Sequence, residues 1–294
     1  MQPGIAQELE PGLRRIVAPN PSALTGTGTN TWILGRGEVV VIDPGPDDPA
    51  HLAALATALS GEQVAAILLT HAHRDHAGLA RALADATGAE IHAYGPPAAG
   101  MSPVMKALAA QGGMGGGEGI QADFVPDVTI GDGAIVTVAG LDIRAIHTPG
   151  HMGGHLCFAL GNALFSGDHV MGWATSLVSP PQGDMGAYVA SLKRLAGAKW
   201  RIFYPGHGEP VAAPDQRLAE LITHRAKREA SILAVLSAGP ATPAGMVAQI
   251  YTDTPVALHP AASRNVFAHL IDLVERNLVS ATPDLSPVAT YARL

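Results

Sequence analysis

Residues 64–78 read VAAILLTHAHRDHAG, and no other stretch limits the fold as tightly. The first seven residues are an apolar run bounded by polar ones, the pattern of a β-strand buried on both faces. Such a strand needs strand neighbours and covering layers. The flanking segments supply them. HLAALATALS (51–60) has helix-forming composition, Leu79 to Thr87 is a second Ala-rich helix closed by Gly88, and EIHAYG (90–95) is a further strand. Strand and helix alternate, so helices are expected to pack on a central sheet. Upstream, TGTGTNTWILG (25–35) and EVVVIDPGP (38–46) read as an edge hairpin punctuated by Gly and Pro.

The turn after the buried strand carries His71, His73, Asp75 and His76 within six residues. Clustered imidazoles in a turn offer little packing. Pointing to one side, they suit a borderline cation such as zinc, which takes nitrogen and oxygen ligands. Further on, HTPGHMGGH (147–155) lies between two strands, FSGD ends at Asp168, and PGHG contains His207. Each is a His or Asp in a Gly-bounded turn just past an apolar run, where a ligand can leave a strand end and face a shared cleft. The strands of this middle region, VTIGDG, AIVTVAG, LDIRAIHTPG, HLCFALG and NALFSGD, have the spacing of antiparallel hairpins.

Composition narrows the class. The 294 residues are 47% hydrophobic, enough for a sizeable core in one large domain with a small appendage. Lys+Arg 18 against Asp+Glu 25 gives a net charge of −7, so no global positive field holds a polyanion. The single cysteine, Cys157, excludes an intramolecular disulfide framework and a thiolate-rich cluster, and its setting in HLCFAL reads as core. No run approaches the roughly 18 apolar residues of a membrane span, and MQPGIAQELEPGLRRI lacks the apolar region of a signal peptide. No membrane partner and a cytoplasmic location are therefore expected. QGGMGGGEG (111–119) reads as a surface loop or, more sharply, as a lid over a site.

After YPGHGEP (204–210) the character changes. Asp215 to Gly239 is a long amphipathic helix, and TPAGMVAQIY and PAASRNVFAHLIDLVERNLV give two more helices. Two domains, 1–214 and 215–294, are expected. The second carries 7 Lys+Arg against 7 Asp+Glu and lacks the basic stripe of a duplex-DNA reader, so a cleft wall or a homodimer contact is its expected role.

The order HxHxDH, a distant His, an Asp and a last His resembles the metallo-beta-lactamase superfamily, over roughly residues 20–210. The resemblance implies an α/β fold, an αββα sandwich with its site at the sheet edges. It implies a first metal on His71, His73 and His151, a second on Asp75, His76 and His207, and Asp168 bridging both. Two Zn2+ are the implied cofactors, with Mn2+ or Fe2+ as alternatives. A hydroxide between the metals is then the nucleophile at neutral pH, with Asp75 orienting it or taking its proton. Beta-lactamases of the superfamily generally carry Cys or Ser at the bridging position, so Asp168 argues against beta-lactam hydrolysis.

LFSGDHVMGWATSLVSPPQGDMGAYVASL (164–192), HRAKRE (224–229) and GTGTNTWILG (26–35) look like the beta-lactamase-like protein 2 group, a resemblance that covers nearly the whole chain. In that group the tail is a winged-helix-like domain. Its best studied members cleave single-stranded RNA, and relatives in fungal polyketide pathways hydrolyse acyl-carrier-protein thioesters. Single-stranded RNA is thus the leading expected substrate. A small thioester of acyl-CoA, acyl-carrier protein or glutathione is the alternative, and a non-catalytic DNA-binding regulator is a third reading.

Other residues have two readings each. His224 could reach the cleft as a general acid or substrate contact, or lie on a helix surface. Arg225 and Arg228 could hold an anion or form surface ion pairs. His169 could support the site or fill the core. Trp173 and Tyr188 could stack on a base, core filling being the simpler role. Asn30 could orient the strand beside the site or serve a turn. His51, His92, His259 and His269 carry no functional reading.

Overall fold

The computed structural model describes residues 2–112, 114 and 119–294. β1 (Gln7–Glu10) and β2 (Leu13–Val17) form one hairpin, β3 (Asn30–Arg36) and β4 (Glu38–Ile42) a second. α1 (Pro49–Ala58) crosses to β5 (Gln63–Leu68), and α2 (Arg74–Ala77) and α3 (Ala80–Thr87) lead to β6 (Glu90–Ala93). α4 (Pro103–Gln111) precedes the short β7 (Val128–Thr129). These seven strands make one sheet in chain order, antiparallel from β1 to β4 and parallel from β4 to β7. The β3–β4 hairpin, expected at an edge, is therefore internal. β1 and β2 pair outside it, and the charged sequence QELEPGLRRIV masks their strand character.

β8 (Ile135–Val138), β9 (Leu141–His147), β10 (Leu156–Leu160) and β11 (Ala163–Gly167) form an antiparallel meander. α5 (Met185–Ala196) then crosses to β12 (Ile202–Pro205), which pairs parallel with β11. The segment VTIGDG does not join this meander as expected. Its Val128 and Thr129 pair parallel with β6 of the first sheet.

Period-two alternation assigns the faces. In β3 and β4, Trp32, Leu34, Val40 and Ile42 point toward the second sheet, where they meet Ile143, Ala145, Phe158 and Phe165. The Trp32 ring lies 5.8 Å from Phe165 and 5.0 Å from Tyr204. Ile33, Val39 and Val41 point outward under Leu55 of α1 and Leu83 of α3. On the far side, Cys157, Leu164 and Phe203 lie under Tyr188 and Leu192 of α5. The layers are thus helix, sheet, sheet, helix, as the resemblance implies, and Cys157 is core.

α6 (Pro214–Ala238) packs Leu218 and Leu221 on this last layer, while its Ile232 and Leu236 enter a separate C-terminal core. That core joins α7 (Pro243–Ile250), α8 (His259–Glu275) and the hairpin β13 (Val279–Thr282) and β14 (Thr290–Arg293). The hairpin is the wing, missed in sequence because NLV reads as the end of α8. Asn277 at φ 55 breaks the helix there. Met101, Met105 and Leu108, from in and just before α4, share the same core, so the C-terminal unit is locked to the sandwich. Most of the glycine-rich stretch read as a loop or lid, at 113 and 115–118, lies outside the described residues. Among the described residues no helix is long and apolar enough to cross a membrane.

Candidate metal centre

The carboxyl ends of β4, β5, β11 and β12 meet at one edge of the sandwich, joined by the β9–β10 loop. Asp43, at φ 51 just past β4, accepts the Thr70 backbone N–H at 2.8 Å and the Thr70 hydroxyl at 2.7 Å, so the ends of β4 and β5 are cross-linked. From there the chain is extended through His73, which puts residues 71 and 73 on one side. The single helical turn of α2 then brings Asp75 and His76 back to the same side.

Their donor atoms converge with those of the later turns. His73 Nδ1 lies 2.9 Å from His151 Nε2. His76 Nε2 is 3.3 Å from Asp168 Oδ1 and 3.5 Å from Asp75 Oδ2. His207 Nε2 is 3.3 Å from Oδ2 of both Asp75 and Asp168, and His151 Nε2 is 3.7 Å from Asp168 Oδ2. Three donor sets, each within 4.8 Å, follow: His71, His73 and His151; His71, His76 and Asp168; Asp75, His76 and His207. Asp168 faces both outer sets, one oxygen toward His76 and the other toward His151 and His207.

The hydrogen bonds behind the rings fix which nitrogen faces the cleft. Thr70 spends its proton on Asp43, so its oxygen accepts from His71 Nδ1–H at 2.9 Å. His76 Nδ1–H donates to Asp43 at 2.8 Å, His151 Nδ1–H to the Leu177 carbonyl at 2.7 Å, and His207 Nδ1–H to the Gly28 carbonyl at 3.3 Å. In each of these four rings Nε2 is thus the nitrogen that faces inward. The buried His71 Nε2, His76 Nε2 and Asp168 Oδ1 have no hydrogen-bond partner among the described residues. Imidazole nitrogens and carboxylate oxygens that converge in a buried space are costly unless protons or a metal cation neutralise them, so the residues fit metal ions. Gly206 keeps the space open: a Cβ there would sit 2.4 Å from Asp168 Oδ1 and 2.6 Å from His76 Cε1.

The two halves differ electrically. Burial, helped by the neighbouring imidazoles, holds His71 well below the usual imidazole range, and burial pushes His73 down to about 3. On the other side burial opposes charge too, but the carboxylates of Asp75, Asp168 and Asp43 keep His76 well above that range. Asp168 likewise carries His207 up to about 9 against its burial. Both carboxyls resist the upward push of burial and stay below their usual range, Asp168 through His207 and His76, Asp75 through His76 and His207.

A cavity of about 320 Å³ opens in front of His73, Asp75, His151, Asp168 and His207. Leu24, Met171, Trp173 and Leu177 form apolar walls, and Ser179, Gln182 and Arg264 add a polar one. Trp173 also borders a trough of about 830 Å³ that runs past Gly26, Gly208 and Pro210 to Arg217 and Glu220.

Several expectations change here. Trp173 is not core: it is 47% exposed, and Gly208 accommodates its ring, since a Cβ at 208 would be 2.6 Å away. Tyr188 is buried, donating to the His169 carbonyl at 3.1 Å, and His169 packs beneath it at 4.8 Å between ring centres. Asn30 does not line the cavity. It is buried and donates to the Pro205 and Gly208 carbonyls, both at 2.9 Å, fastening the loop that carries His207. Arg225 is 3% exposed and donates to the Ser176 carbonyl with its carbon 5.1 Å over the Tyr188 ring. It supports the loop whose Ser176 and Leu177 hold His151, and it does not line the metal-facing cavity. His224 faces solvent beside Gln216, Glu220 and Lys227, away from the cavity. Sequence reading missed Asp43, Thr70, Ser176 and the approach of Arg264. For Asp43 a signal existed, an acid ending an apolar strand before PGP. For Arg264 none did, because it comes from the tail.

The fold and site define a class: the chain belongs to the metallo-beta-lactamase superfamily, whose family description matches residues 24–207. Residues 242–286 match the beta-lactamase associated winged helix domain. It is a metal-dependent hydrolase of that superfamily. The chain is 31% identical to the Beta-lactamase-like protein 2 homolog of Drosophila melanogaster, over 88% of this chain and 86% of that one. It is also 31% identical to Thioesterase pkgB of Emericella nidulans, over 79% of this chain but only 62% of the relative. The Atrochrysone carboxyl ACP thioesterase of Aspergillus fumigatus is 32% identical over 78% of this chain and 66% of its own. Among solved structures, a metallo-beta-lactamase family protein of Thermus thermophilus superposes with a TM-score of 0.78 at 28% identity, covering 98% of this chain and all (100%) of its own.

Proposed function

We propose that this protein is a dinuclear zinc hydrolase of small thioesters. The observation that carries the substrate reading is the cavity of about 320 Å³ directly before both donor sets. Its size lies at the lower end of small-molecule sites, and its walls are mainly apolar. Thioesterase names among the relatives support the same chemistry. Residues around the adjoining trough carry no basic track. Arg217 there is committed to the Met171 and Ala174 carbonyls, both at 2.7 Å, and Glu209 and Glu220 are acidic. A groove for single-stranded RNA needs cations along the backbone path and successive stacking rings. Exposed Trp173 and the cation of Arg264, both at the cavity, favour RNA, and for that reason RNA stays in the test below.

His71, His73 and His151 would hold one ion, Asp75, His76 and His207 the other, with Asp168 shared. Bound there, the ions would polarise a carbonyl and lower the pKa of water toward neutrality. The chain's own part is to position and to move a proton. Asp75 is the most open of the acids, with its side chain 28% exposed, and its close contacts among the described residues run to Oδ2. Its Oδ1 is left to orient the attacking water and accept its proton. Leu24, Met171 and Leu177 shield that step from bulk water.

The test is release of free thiol from a thioester panel by zinc-loaded protein, beside cleavage of end-labelled single-stranded RNA, with Asp75→Ala run in parallel. Thioester turnover that falls at least about 100-fold in the variant is expected. RNA cut by wild type and spared by the variant, with thioesters untouched, would replace this reading with the ribonuclease one.

A further inference from the structure

One wall of the metal-facing cavity holds polar atoms with nothing to bind. Ser179 Oγ and Gln182 Oε1, on the loop before α5, and Arg264 Nε, on α8 of the winged-helix unit, are each buried without a hydrogen-bond partner among the described residues. All three residues line the cavity that His73, Asp75, His151, Asp168 and His207 also line. No salt bridge among the described residues includes Arg264, although its neighbour Asn265 is engaged with the Val178 N–H at 3.3 Å and with Arg225. The helix is therefore held against the loop by Asn265, while Arg264 is left over.

A half-buried guanidinium whose Nε is unpaired, lining one cavity with an unused hydroxyl and an unused amide oxygen, costs folding free energy unless a ligand repays it. The donor set defines that ligand. A guanidinium presents parallel N–H groups to two oxygens of one anion, the serine hydroxyl adds a third donor, and the Gln182 amide, turned about its last bond, adds a fourth. Apolar groups would leave all of them unpaired. We infer that Arg264, Ser179 and Gln182 form a subsite for an anionic oxygen group on the substrate, a carboxylate or a phosphate, bound while the scissile carbonyl faces the metal ligands. The inference rests on the thioester reading for the reacting bond, but the anion subsite is a separate claim about Arg264. It also gives the C-terminal unit a specific role, that of supplying the cation that selects acidic substrates.

The anion can come from either side of a thioester, from a carboxylate at the end of the acyl chain or from a phosphate on the thiol arm. Matched pairs separate the two. The first pair is glutaryl against butyryl on the same uncharged small thiol. The second is a butyryl thioester of phosphopantetheine against that of pantetheine. For one pair, wild type should favour the anionic member by about tenfold or more in kcat/KM, the range of a charge-assisted contact. Arg264→Met should erase that preference while leaving the neutral member within about twofold, and Arg264→Lys should keep part of it. The neutral member and an unchanged melting temperature certify that the variant is folded. Calorimetric titration reads the subsite without turnover. The monoamide of glutaric acid should bind more tightly than butyramide, or phosphopantetheine more tightly than pantetheine, in wild type and not in Arg264→Met. Thioesters hydrolysed without anion preference, or a preference that survives Arg264→Met, would overturn the subsite and leave the thioester reading standing. No thioester hydrolysed, with the binding difference intact, would overturn the thioester reading and leave the subsite. Equal binding in wild type and Arg264→Met would remove the subsite whatever the reaction.

Discussion

Asp43→Asn probes the support beneath the metal ligands with almost no change in volume. The buried Asp43 carboxylate takes three donors: Thr70 N–H at 2.8 Å, Thr70 O–H at 2.7 Å and His76 Nδ1–H at 2.8 Å. One oxygen serves the backbone and the other serves both the hydroxyl and the ring. An asparagine that keeps its oxygen on the backbone N–H turns its NH2 toward two donors. The hydroxyl can rotate away, which loosens His71 Nδ1. His76 can relieve the clash only by moving its proton to Nε2, the atom that faces Asp75 and Asp168. A ring protonated there cannot bind a cation. Loss of such a supporting partner lowers metal affinity about 10–100-fold, which is about 1.4–2.7 kcal/mol. The unpaired buried donors cost a further ~1–3 kcal/mol of fold stability. Competition with a chromophoric chelator at pH 7.5 should show the His76-containing site weakened by that factor. The His73–His151 site should weaken less, through Thr70 alone. An unchanged weaker-site affinity in a folded variant would refute the tautomer argument.

Other expectations follow from the same geometry. His207 sits at about 9 in the metal-free protein, above its unfolded value near 6.5. Its stabilisation is therefore fully present below about pH 6.5 and lost as pH rises through about 9. The metal-free melting temperature should decline across that window, and decline less steeply in His207→Gln, where the raised His76 alone remains. Zinc binding should release protons at pH 7 and fewer above pH 9, read by calorimetry in buffers of different ionisation enthalpy; equal release at both would contradict the assignment. Arg225→Met should cost about 1.5–3 kcal/mol through the lost Ser176 bond and lower the melting temperature by several degrees. Solvent-facing His224→Ala should stay within about 0.5 kcal/mol and keep full activity, and equal effects of the two would undo the distinction drawn between them. Gly206→Ala would press a methyl group onto Asp168 and His76, so zinc content measured after dialysis should fall below that of wild type; full retention would count against the tight cradle.

Local pattern in the chain was enough for the strand–helix alternation around β5, the three tail helices and the ligand-type residues themselves. Period-two and helical spacing act over a few residues, and a cluster such as HAHRDH has no packing use that competes with metal binding. The αββα layering followed from that cluster by resemblance. What stayed hidden depends on pairs far apart in sequence. β2 is a strand because β3 offers a ladder to pair with, and β1 because β2 then does, not because QELEPGLRRIV favours extension. Asp43 acts through Thr70, 27 residues on, and Arg225 through Ser176, 49 residues back. Asn30 acts through Pro205, 175 residues away. Residue type alone could not separate the exposed Trp173 from the buried Tyr188, since both suit either a core or a cleft. Nor could it bring Arg264 to the metal-facing cavity. Chemistry-bearing side chains are thus readable where their neighbours are neighbours in the chain. Their supports, and the arginine that lines the metal-facing cavity, arise only when the sheets stack and α8 docks on the loop before α5.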